Sequence, residues 1–159
     1  MLGEHRGIET EEAKKGRRMP ESKYAKFIVT EPLAEEHGYE VKDGPEVMAA
    51  MAYLDDGVIA GAFYVETHWF KKPTRYSPKK HAHDFDETLG FFGGDPEHPL
   101  ELNGEVELWI EDEKHVLTKS CLVYIPAGVE HCPMHVRPAT RPIFHFSAGT
   151  TRKAYKRED

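Results

Sequence analysis

The chain is 159 residues long, with 28 Asp and Glu against 21 Lys and Arg, a net charge of −7 and ten histidines. That length suits one domain with its own core, and the acidic balance argues against phosphate backbones and anionic membranes as partners, leaving small molecules. Two cysteines outside any CxxC spacing, with no apolar run of membrane-spanning length and no signal-peptide plan, predict a cytoplasmic location and buried, reduced thiols at Cys121 and Cys132.

Residues 1 to 22 are rich in Glu, Lys, Arg and Gly and nearly devoid of apolar side chains, so burial cannot offset the entropy cost of ordering them, and a flexible arm is predicted. Lys23 to Thr30 is a short strand candidate. In Pro45 to Leu54 the side chains of Val47, Met48, Met51 and Ala52 fit a helical stripe slightly better than a strand. Val58 to Phe70, β-branched and aromatic, predicts a strand with Phe63, Val65, Thr67 and Trp69 on one face and Tyr64, Glu66 and His68 on the other. Lys71-Lys72-Pro73 breaks that run, a basic loop reaches Lys80, the ligand-bearing segment follows, and Gly93-Gly94-Asp95-Pro96 predicts a turn. Glu105 to Glu111 alternates with Val106, Leu108 and Ile110 inward, and the Asp112-Glu113-Lys114 turn joins it to His115 to Ile125 as a hairpin. His131 to Val136 and Pro142 to Ser147 are the last strands, and residues 151 to 159 form a charged tail. Many short strands with at most one helix predict an all-β, antiparallel sandwich or barrel, a single domain over residues 23 to 150.

The chemistry concentrates in two stretches, His81-Ala-His83-Asp-Phe-Asp-Glu87 and Pro126-Ala-Gly128-Val-Glu-His131. On an extended segment His81, His83 and Glu87 share one face, and His131 arrives from a later strand, so three imidazoles and a carboxylate can meet at one point. Such a set suits one borderline divalent ion per chain, among Fe, Mn, Zn, Ni, Co and Cu, because imidazole prefers these ions and the carboxylate offsets their charge. The spacing resembles the cupin superfamily, whose motifs read G(X)5HXH(X)3-4E(X)6G and G(X)5PXG(X)2H(X)3N. His81, His83, Glu87 and Gly94 fill the first, and Pro126, Gly128 and His131 the second. Arg75, Ser120 and His135 stand where two leading glycines and a closing Asn would be. The resemblance spans roughly residues 58 to 149, implies a jelly-roll β-barrel, and carries an expectation of a homodimer.

Around these ligands, His135 on a straight strand looks into the cavity as an acid–base group, and Tyr64 and His145 are further candidates for moving a proton, with His68 on the Tyr64 face. Asp84 and Asp86 have the opposite parity and are expected to cap or to pair with Lys79 and Lys80. Trp69, Phe91, Phe92, Trp109, Phe144 and Phe146 are expected mostly in the core, and Arg75, Arg137 and Arg141 are available to an anionic substrate. No GxSxG, GxGxxG or P-loop is present. A metal with open coordination positions makes an enzyme the first expectation, dioxygenase-like and acting on a small aromatic or carboxylated molecule. A non-oxidative lyase or isomerase and a non-catalytic metal- or ligand-binding module are the alternatives.

Overall fold

In the computed structural model, residues 23–30, 44–74 and 77–153 are described; the expected arm, Arg75 and the end of the tail lie outside them. Eight strands follow in order: β1 Met48–Leu54, β2 Tyr64–Phe70, β3 Glu87–Gly93, β4 Glu101–Ile110, β5 Glu113–Lys119, β6 Cys121–Ile125, β7 His131–Val136 and β8 Ile143–Gly149. They form a five-stranded sheet ordered β1-β2-β8-β3-β6 and a three-stranded sheet ordered β5-β4-β7. Every named pairing is antiparallel. The result is an antiparallel two-sheet sandwich of jelly-roll form. Phe70, Leu89, Phe91, Leu102, Val106, Leu108, Ile125, Val136 and Ile143 make the core between the sheets.

Several elements differ from the sequence reading. Pro45 to Leu54 is not helical: Met48 to Leu54 pairs along β2, and the unsatisfied edge of that strand decides a segment whose own pattern fits either form. Lys23 to Thr30 is not a strand but holds a short 3-10 turn at Ala25–Phe27. The strand expected from Val58 begins only at Tyr64, because the buried Asp55 carboxylate accepts the amides of Gly57 and Val58 at 2.8 and 3.1 Å and holds the chain in a turn. His115 to Ile125 is two strands in different sheets, divided at Ser120, whose hydroxyl accepts the Gly93 amide at 3.1 Å.

Of the six aromatics expected mostly in the core, only Phe91 belongs to it. Trp69 and Phe144 (ring centroids 5.4 Å apart) and Phe92 and Phe146 (6.3 Å apart) lie half-buried on the outer face of the five-stranded sheet. That face continues onto exposed Leu122 and Tyr124 of β6. The parity that sends Phe91 inward sends these side chains out. No helix among the described residues is long and apolar enough to cross a membrane.

Candidate metal centre

The two ligand-bearing stretches lie side by side. His81 and His131 exchange backbone hydrogen bonds at 3.0 and 2.8 Å as an isolated antiparallel bridge, and the amide of Gly128 donates to the His83 carbonyl at 2.8 Å. Gly128 sits at φ +82, a left-handed conformation that costs glycine little, and so turns the chain back toward His83. The Asp86 carboxylate accepts the Ala127 amide at 3.0 Å. Residues 82–86 are irregular rather than a strand. The histidines are therefore positioned by the bridge to His131, not by a shared pleat.

His83, Glu87 and His131 bring donor atoms within 4.8 Å of one another. His131 Nε2 lies 3.0 Å and His83 Nε2 3.7 Å from Glu87 Oε2. Glu87 and His131 are buried, and His83 is half-buried. The four-residue set expected to meet at one point is not one cluster at that separation. His81 instead groups with His131 and Cys132, although its ring lies 4.5 Å from that of His131 and 4.8 Å from that of His83. The cause is local: His81 Nδ1 is held by the Lys79 carbonyl at 2.6 Å, on a segment that is not extended.

Burial and the Glu87 carboxylate act with opposite net effect on the two imidazoles of the trio. Burial opposes charge on His131, but the hydrogen bonds to Glu87 and to the Val129 carbonyl, with the attraction of the carboxylate, outweigh it and raise its pKa above the usual imidazole value. For His83 burial dominates, Glu87 offsets part of it, and the neighbouring imidazoles of His81 and His131 oppose charge further, so its pKa is lowered. A borderline divalent ion fits this donor set. Two imidazoles and one carboxylate replace water around such an ion, and the carboxylate compensates charge that burial would otherwise penalise. A metal binds the neutral imidazole, so it competes with protons at His131.

Phe85, singled out by no spacing rule, forms one wall of the site: its ring stacks on His83 with centroids 4.7 Å apart and 12° between planes. Gly149 makes room for it, since a Cβ there would lie 2.3 Å from the Phe85 ring. An apolar residue between two aspartates in the ligand stretch was the available signal. Beside this wall a cleft of about 490 Å³ is lined by residues that include Asp84, Asp86, Thr150, Arg152 and Lys153. Asp84 pairs with Lys153 at 3.0 Å, while Lys80 reaches Asp112 and Glu130, so the expected pairing of the aspartates with Lys79 and Lys80 does not form.

The three expected proton carriers stand elsewhere. β7 spends three steps, His131 to Met134, against two on β4, Ile110 to Leu108, and this bulge at Cys132 and Pro133 reverses the parity counted from His131. His135 therefore pairs with Glu107 on the face opposite Val106 and Val136, away from the cavity. Arg137 and Lys114 bond Glu107 on that same outer face, which removes Arg137 from the substrate side. Tyr64 points inward but packs on Tyr53 and Phe85, with the Phe85 ring between it and His83. His145 is buried among Phe70, Phe91 and His68, its Nδ1–H donating to the Gly90 carbonyl at 2.9 Å, and burial holds its pKa down to about 4. It is a neutral core imidazole.

No protein-family model matches the sequence, and no curated protein matches it. Among solved structures the chain is similar to an RmlC-like cupin from Shewanella frigidimarina (16% identity, 79% of this chain and 96% of that one, TM-score 0.43). It is likewise similar to KdgF from a Halomonas species (15% identity, 73% and 91%, TM-score 0.40). A third similar structure is oxalate oxidase in complex with the substrate analogue glycolate (12% identity, 78% and 61%, TM-score 0.48). At these identities the likeness concerns the fold, and His83, Glu87 and His131 are gathered at one end of the two-sheet antiparallel sandwich.

Proposed function

We propose that the protein is a metal-dependent cupin enzyme that acts on a small carboxylated or aromatic molecule, with dioxygenase-like chemistry as the first reading. The observation that carries this is the buried trio of His83, Glu87 and His131, with donor atoms mutually within 4.8 Å. These residues would hold the ion, with His81 at their edge. When bound, an ion with free coordination positions supplies Lewis acidity or electron transfer. The chain's own contribution is to orient the guest and exclude water: Phe85 covers one side of His83, and Arg152 and Lys153 line the adjoining cleft.

The exposed Lys153–Asp84 pair is of a kind that contributes little and exchanges readily, so a substrate carboxylate can take the place of Asp84. In a lyase or isomerase reading, Asp84 and Lys153 of the cleft, rather than His135, Tyr64 or His145, would move the proton. A homodimer is proposed on the apolar outer face of the five-stranded sheet, and a cytoplasmic location on the two thiols.

Metal analysis with an oxygen-electrode screen of small keto acids, hydroxy acids and phenols tests this reading. The expected result is about one ion per chain and oxygen uptake that stops on chelation. Turnover that continues without oxygen transfers the assignment to a lyase or isomerase. Metal binding without turnover of any compound transfers it to a binding module.

A further inference from the structure

We propose that Cys132 is a metal ligand. With His81 and His131 it forms a second, softer donor set, which shares His131 with the trio and takes thiophilic ions such as Zn(II), Cd(II) or Cu(I). The proposal rests on the metal-centre reading only through that shared histidine.

The nitrogens of His81 and His131 and the Cys132 sulfur lie within 4.8 Å of one another. His131 and Cys132 are buried, at 1% and 5% exposure, and His81 is half-buried. On a regular strand the residue after an inward histidine faces outward. Cys132 instead sits at φ +70, a left-handed conformation that is uncommon for a residue with a Cβ, inside the β7 bulge, and its side chain is turned in. The bond from His81 Nδ1 to the Lys79 carbonyl fixes that ring, as outer partners of metal-bound histidines do.

In a tetrahedral zinc site such donors stand about 3.3–3.6 Å apart, which follows from Zn–N near 2.0 Å and Zn–S near 2.3 Å. The three atoms need to close by roughly an ångström to reach that geometry. A thiol that binds gives its proton to solvent, and the resulting thiolate offsets one charge of the ion. Carboxylate with imidazole favours harder ions, and thiolate with imidazole favours softer ones. The two sets are therefore alternatives selected by the softness of the ion, and a thiophilic metal draws His131 away from Glu87.

The test uses the full chain with metal salts alone. Cd(II)-loaded wild type is expected to show an ultraviolet thiolate-to-cadmium charge-transfer band that Cys132→Ser and Cys132→Ala lose and Cys121→Ser keeps. Cd(II) affinity is expected to fall in Cys132→Ser by more than the ~10- to 100-fold typical of losing an outer partner, with Mn(II) affinity unchanged. Glu87→Gln is expected to show the reverse. Cd(II) bound without a thiolate band, or unchanged Cd(II) affinity in Cys132→Ser, overturns the Cys132 assignment and leaves the trio standing. A thiolate band in a protein that binds no Mn(II) upholds Cys132 and removes the trio. Failure to bind any ion removes both.

Discussion

His145 offers a direct test of the interior of this fold. Its imidazole is buried between the sheets, faces His68 from β2 and feels Glu87 from β3, and burial holds its pKa at about 4. In the unfolded chain an imidazole titrates near 6.5. The folded value is depressed, so between about pH 6.5 and about pH 4 the unfolded chain binds a proton that the native chain refuses, and stability falls as the solution is acidified. Above that window the effect vanishes. From these two pKa values the loss attributable to this one group is about 2 kcal/mol between about pH 7 and about pH 5, and about 3 kcal/mol over the whole window.

His145→Gln keeps an N–H to donate to the Gly90 carbonyl and removes the titration. Urea denaturation of both proteins at several pH values, with chelator present so that metal loss does not contribute, is expected to give a smaller acid dependence for the variant by that amount. At neutral pH the variant is less stable because it loses the stacking on Phe91, at 4.6 Å, and the difference narrows as the solution is acidified. Parallel pH dependences for the two proteins would refute the reasoning.

Removing metal from the wild type is expected to lower its melting temperature. An ion present at about 100 times its dissociation constant stabilises the native state by about 2.7 kcal/mol, and His83→Ala or His131→Ala should lose both the metal and the shift. Gly149→Ala puts a methyl group into the Phe85 ring and is expected to destabilise by about 1–3 kcal/mol in denaturant titration; an unchanged midpoint means that Phe85 is not seated on His83. His135→Ala, on the outer face, should leave metal content and turnover unchanged and alter stability by no more than about 0.5 kcal/mol, and a large loss of activity would return it to the site. Light scattering is expected to find a dimer that Tyr124→Glu with Phe146→Glu converts to monomer; a monomeric wild type would leave the apolar face to another occupant.

The all-β class and the strands β4, β7 and β8 were legible because each carries a signal of its own, alternation or turn residues, and spacing singled out the two stretches that bring His83, Glu87 and His131 together. The N-terminal elements were not. β1 exists because β2 has an edge to pair, which is a tertiary fact, and Asp55 shortens β2 through hydrogen bonds that no periodicity announces. Parity counting failed where the chain leaves regular geometry. The bulge at Cys132 and Pro133 turned His135 outward, and the irregular segment after His81 separated that residue from the trio. The outward aromatics of β2, β3 and β8 read as core because hydrophobicity alone does not distinguish the two faces of a sheet.

Ser120 carries the chain from one sheet to the other in a single residue, and its hydroxyl clasps the Gly93 amide at the end of β3 remote from Glu87. Six steps along β3 separate that clasp from Glu87, a span of about 20 Å. The chain thus ties the two sheets together at the end of β3 away from the histidines, leaving the end that carries Glu87 and His131 without that crossing.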